Sequence, residues 1–201
     1  MNRLRNLVYG TAALIALQAG ADPVLDNHSD ISGKAARGQS GRMAINMAAG
    51  DGNAQLNAAA LAISTGLGTH ALLDLRQKVD ISGADPTHNS VSAISDSAFS
   101  HSSGTLSINQ VSGLGNAQIN SIAIGFGLDG KAVTDTQLSS SVTGYSAGLA
   151  PDDAGHREVR IEDEAFKGSS GLVQVNQLAG TANATANSFQ LRINLGVKSE
   201  Q

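Results

Sequence analysis

Gly104-Thr105-Leu106-Ser107-Ile108-Asn109-Gln110-Val111-Ser112-Gly113-Leu114-Gly115-Asn116-Ala117-Gln118-Ile119-Asn120 decides the fold, because the chain writes this stretch three times. An earlier copy reads Gly41-Arg42-Met43-Ala44-Ile45-Asn46-Met47-Ala48-Ala49-Gly50-Asp51-Gly52-Asn53-Ala54-Gln55-Leu56-Asn57, and a later copy runs from Gly171 through Asn176-Gln177, Gly180 and Asn183 to Asn187. A repeated unit that cannot bury its own apolar face must bury it against a copy of itself. Self-stacking is therefore the first expectation.

Working outward, Ile94-Ser95-Asp96-Ser97-Ala98-Phe99 matches Ile161-Glu162-Asp163-Glu164-Ala165-Phe166 without a gap. The first copy is degenerate. Ile31, Ala35, Ser40 and Gly41 keep register, and Arg37 is read as standing where the other copies carry Phe. An atypical terminal unit suits a stack whose outer face lacks a neighbour. The units are set at 31–66, 94–129 and 161–197, after an N-terminal segment 22–30 and before a tail 198–201. The intervening 67–93 and 130–160 are rich in Gly, Pro, Ser and Asp and read as flexible linkers. Leu72 to Val79 is read as either a short helix or an added strand.

Within a unit the pattern is strand, turn, strand. Leu106, Ile108 and Gln110 alternate with Ser107, Asn109 and Val111, a period of two that fits extended backbone. Gly113, Gly115 and Asn116 supply the turn, as do Gly50, Gly52 and Asn53 before them and Gly180 and Asn183 after, because Gly and Asn tolerate positive φ. A further strand over Ile94 to Phe99 completes the layer. The expected class is all-β, a three-repeat β-solenoid or cross-β-like stack with flexible linkers.

Three asparagine columns follow from the alignment: Asn46, Asn109 and Asn176; Asn53, Asn116 and Asn183; Asn57, Asn120 and Asn187. Identical carboxamides stacked about 4.8 Å apart can donate N–H to the oxygen of the next layer, which satisfies polar groups in a dry interior. Gln55, Gln110, Gln118 and Gln177 offer further rungs. A second copy of the chain would present the same rungs, so the ladder is the candidate self-assembly site. For the column Asn53, Asn116 and Asn183, beside the glycines, a turn role is the competing reading.

Composition narrows the class. Arg3 and Arg5 precede the apolar run Leu7 to Leu17 and the small-residue signal Ala19-Gly20-Ala21, so residues 1–21 read as a secretory signal peptide with the mature start at Asp22. Thirteen basic residues face 17 acidic ones, and two of the basic ones lie in that leader. An acidic balance without a basic cluster argues against nucleic acid and anionic lipid as partners. After the leader no apolar stretch reaches the length of a membrane span, so no stable membrane insertion is expected. Cysteine is absent, which excludes disulfide staples and thiolate metal sites. Aromatic residues are few after the leader (Phe99, Phe126, Phe166, Phe189 and Tyr145), which favours thin layers of small side chains over a thick core.

Catalytic patterns are missing. His28, His70, His88, His101 and His156 are scattered without metal-ligand spacing. Asp129-Gly130 and Asp152-Asp153 lack a calcium-loop context. No Gly-x-Ser-x-Gly nucleophile elbow occurs, and Gly113-Leu114-Gly115 lacks the rest of a dinucleotide fingerprint. The chain is read as a non-enzyme without cofactor. The charged run Arg157 to Glu164 is read as a strand with outward charges that guard an edge.

At Ala98-Phe99, Ser103-Gly104, Ala165-Phe166, Ser170-Gly171 and the Asn-Gln, Gly-turn, Asn-Ala-Gln grammar that follows, the chain resembles bacterial functional-amyloid subunits of the Fap type. Curli subunits are a more distant likeness, since Gln110 lies one residue further from the turn than their pattern has it. The resemblance implies a subunit of extracellular biofilm fibres. Its partners would be itself and homologous subunits, reached through an export pore and a periplasmic chaperone. The C-terminal Cys-x-x-Cys associated with Fap fibre subunits is missing here, which implies a minor, nucleating or accessory role. The competing class is a fibre-assembly chaperone or a monomeric surface adhesin.

Overall fold

A computed structural model describes residues 25–80, 88–143 and 155–194. Residues 1–24, 81–87, 144–154 and 195–201 lie outside them. Nine strands follow in order: β1 (Leu25–Ile31), β2 (Ser40–Ala49), β3 (Ala54–Asp80), β4 (His88–Ile94), β5 (Ser103–Leu114), β6 (Ala117–Thr143), β7 (Arg157–Ile161), β8 (Ser170–Thr181) and β9 (Ala184–Asn194). They form three parallel sheets of three strands, β1-β4-β7, β2-β5-β8 and β3-β6-β9. The fold is the all-β, solenoid-like stack that the repeats imply.

Each strand hydrogen-bonds to its equivalent in the next copy, never to its sequence neighbour. Successive strands of one copy meet through side chains, as layers of one rung. The register is the sequence alignment itself: Gly41 lies by Gly104 and Gly104 by Gly171, Asn46 by Asn109 and Asn109 by Asn176. In-register pairing follows because a one-residue slip would swap the two faces of every strand. The middle copy is central in all three sheets, so nine successive residues from Leu106 to Leu114 are buried, while β2 alternates between exposed and half-buried.

The β2-β5-β8 sheet is sandwiched. On one face Ile108 and Leu106 pack with Ile31, Ile94, Ala98 and Phe99, and Gln110 Nε2 donates to the carbonyls of Ser29 and Ala93 at 2.9 and 2.8 Å. On the other face Asn109 reaches the Leu56 carbonyl of β3 at 3.0 Å. Strand β3 shifts register against β6 near Ser64 to Thr69 and then folds back, so that Val79 and Val142 pack on Ala54 and Ala117. The first two rungs are thus serpentines whose last arms cover the outer face of the third sheet.

Four expectations change. Residues 67–80 and 130–143, expected as linker, are strand, and Ser139-Ser140-Ser141 pair with Arg76-Gln77-Lys78. Parallel pairing satisfies the backbone whatever the side chains, so loop-like composition does not prevent it. His88–Ile94, which the expected first linker partly covers, is β4; for Leu72 to Val79 the added-strand reading holds, with Ala71 and Val79 buried. Strand does not continue from Ile94 to Phe99. Asp96, Phe99 and His101 have φ of 55°, 60° and 59° and form a turn from β4 into β5. Likewise Arg157–Ile161 is strand while Asp163 to Gly168 turn. Finally, pairing of Ile31 with Ile94 sets a constant offset that puts Ala36, not Arg37, at the Phe99 position, and Ala36 shares its left-handed backbone with φ of 52°.

Candidate functional site

The columns of Asn46, Asn109 and Asn176 and of Asn57, Asn120 and Asn187 occupy the interface between the second and third sheets. β5 carries Asn109 into it and β6 carries Asn120, because both lie on the faces that these strands turn toward each other. Asn109 Nδ2 lies 3.0 Å from Asn46 Oδ1, 3.2 Å from Asn57 Oδ1 and 3.0 Å from the Leu56 carbonyl. Asn176 repeats this one rung on, with Asn109 Oδ1 at 3.0 Å, Asn120 Oδ1 at 3.1 Å and the Ile119 carbonyl at 3.0 Å. Asn120 Nδ2 reaches Asn57 Oδ1 at 3.0 Å and Asn109 Oδ1 at 2.9 Å, and Asn187 Nδ2 reaches Asn120 Oδ1 at 3.1 Å and Asn176 Oδ1 at 2.9 Å. Two columns are therefore zipped together both along the axis and across it. Asn109 and Asn120 are wholly buried.

The turn column belongs to the same system. Asn116 Nδ2 donates to Asn53 Oδ1 at 2.9 Å, and Asn183 Nδ2 to Asn116 Oδ1 at 2.9 Å. The backbone N–H groups of Asn116 and Asn183 share those acceptors at 2.9 and 3.0 Å. These asparagines are turn residues and rungs at once. Gly50, Gly52, Gly113, Gly115 and Gly180 all have positive φ, as expected of a turn.

The glutamines pair by twos. Gln55 Nε2 donates to Gln118 Oε1 at 2.7 Å, and Thr185 takes the third place in that column. Gln177 Nε2 donates to Gln110 Oε1 at 3.1 Å, and Met47 takes the first place. Gln118 and Gln177 also donate to carbonyls of neighbouring strands, Gln118 to Gln110 and Asn176 and Gln177 to Ser92 and Arg160.

These columns have direction. In every asparagine rung between copies the amide nitrogen belongs to the later copy and the oxygen to the earlier one. The Gln55 pair runs the other way. The two ends of the stack are thus chemically different, and both end in edge strands.

Two further contributors lie at matched positions to which the sequence assigns no role. At Gly104 and Gly171 an added Cβ would lie 2.3 and 2.1 Å from the carbonyl oxygen of the glycine one rung below. This second glycine column permits close backbone approach, and its signal was the recurrence of Gly at the start of every copy. Phe99 and Phe166 stack with ring centroids 5.1 Å apart and planes 15° apart, which their shared alignment position could have indicated. Among the described residues no group of three His, Asp or Glu is placed to hold a metal ion.

No solved structure matches the chain. The family model for the functional amyloid protein FapB/FapC family matches residues 12–194, a span that takes in every strand of the stack and every rung of its columns. A chain whose repeats lie in register, with matched amides bonded from copy to copy, belongs to the FapB/FapC family of functional amyloid proteins.

Proposed function

We propose that this protein is an exported structural subunit of extracellular amyloid fibres in biofilm matrix, a minor or nucleating one being one form of that role. It would assemble with itself and homologous subunits by continuing its own stack. The carrying observation is that the asparagine columns run through all three copies and reach both ends, where Asn46, Asn53 and Asn57 lie at one and Asn176, Asn183 and Asn187 at the other. An incoming chain would pair with the open backbone edge and with the amide rungs together, which is strand addition with a built-in register. The order of charge, apolar run and small residues in 1–21 supports export through the secretory route, with an export pore and a periplasmic chaperone as further partners.

The test is to incubate the purified chain from Asp22 onward and record fibre diffraction. A meridional reflection at about 4.7–4.8 Å is expected. Replacing Asn109, Asn120, Asn176 and Asn187 by Asp should abolish it, because like charges would then stack along the column. A chain that stays monomeric and delays fibre formation by a homologous subunit would instead be an assembly chaperone.

A further inference from the structure

The first sheet carries information that the amide columns lack. Its outer positions carry Asp, Glu, Arg or His in the first and third copies and Asn, Val or Ala in the middle one. Asp30, Ala93 and Arg160 form one column, His28, Val91 and Glu158 another. In the turn that follows, the same offset aligns Lys34, Ser97 and Glu164. Within one molecule the opposite charges are therefore two rungs apart, roughly 9–10 Å, with an uncharged residue between them. Asp30 and Lys34 are exposed, and the Arg160 and Glu164 side chains are more than half exposed.

We infer that β7 of one molecule docks on β1 of a second copy, with Arg160 against Asp30 and Glu164 against Lys34, and that these pairs set the register and polarity of the fibre. The inference rests on the fibre reading above. Placed one rung apart, about 4.8 Å, each pair becomes a cross-strand contact of opposite charge. His28 then lies over Glu158, and Asp26 lies over His156, which shares the Asn89 column. One like pair, Arg37 over Lys167, remains, and Lys167 already binds Glu164 at 2.6 Å.

The charges also discriminate against error. A slip of two residues keeps every side chain on its proper face, so the apolar pattern alone does not forbid it. Such a slip would set Asp30 against Glu158 or Glu162, carboxylate on carboxylate. The asparagine direction acts in the same sense, since the third copy ends in amide oxygens facing the nitrogens of the next first copy. A two-fold contact would instead oppose oxygen to oxygen between third copies and nitrogen to nitrogen between first copies.

Two single variants of the full chain test this, Asp30→Arg and Arg160→Asp. Each alone places like charges at every junction, and seeded elongation at low salt should slow by about five- to tenfold. Mixed in equal amounts they can alternate, with every junction again of opposite sign, and the mixture should elongate near the wild-type rate. Salt should shrink the difference by screening. Singles that elongate like wild type, or a mixture no faster than its components, would overturn the charged junction while leaving wild-type fibres intact. Absence of wild-type fibres would overturn the fibre reading and this junction with it.

Discussion

Asn109 shows what repetition does for a single residue. A carboxamide buried without partners costs about 1–3 kcal/mol. Here Asn109 is wholly buried yet finds acceptors in the copy below and donors in the copy above. Asn46 holds the same column position in the exposed end rung, where its own Nδ2 reaches only the Gln55 carbonyl at 3.5 Å. Asn109→Ala should therefore lower stability by about 1–3 kcal/mol, and Asn46→Ala by well under about 1 kcal/mol, as read from guanidinium midpoints. Equal effects would mean that burial of the column contributes nothing.

At the scale of the element, the strand starts and turns are held by left-handed backbone in matched positions. Gly104 has φ of 108° and faces the Gly41 carbonyl, so a Cβ there is blocked by both conformation and space. At Gly38, with φ of 69°, an added Cβ would meet nothing within 4 Å, and His101 already occupies the equivalent place in the second copy. Gly104→Ala should cost more than about 2 kcal/mol, whereas Gly38→Asn should be close to neutral, since Asn enters this region readily. Chemical denaturation of the two variants side by side measures the contrast. The turn at Asp96 to His101 likewise carries matched left-handed backbone, since Ala36, Phe99 and Phe166 share φ of 52°, 60° and 61°, and the rings of Phe99 and Phe166 stack beside it.

At the scale of the whole molecule, every sheet pairing joins residues more than sixty positions apart in sequence. Such topology folds slowly, because chain closure precedes any gain from contacts. Stability in a stack of this kind is the sum of rung terms and interface terms. Ending the chain after Thr143 removes one rung and also turns the buried β5 and β6 into edges. The guanidinium midpoint should then fall by more than about one third, a loss out of proportion to the residues removed, with the residual strand signal followed by far-ultraviolet circular dichroism.

Much of this was legible in the residues themselves. The asparagine columns, the glycine turns and the register are consequences of one repeated stretch, because copies that stack in parallel must align as they align on the page. The reach of β3 to Asp80 and of β6 to Thr143 was not legible, since Ser- and Gly-containing segments acquire strand structure only when a neighbour supplies their hydrogen bonds. Nor was the end of β4 at Ile94, since Asp96, Phe99 and His101 take left-handed backbone that their side-chain types do not announce. Repetition alone sets the asparagine and glycine columns, whereas the exact offset of the first turn, the reach of each strand and the place where it ends depend on contacts between segments far apart along the chain, which only the folded molecule supplies.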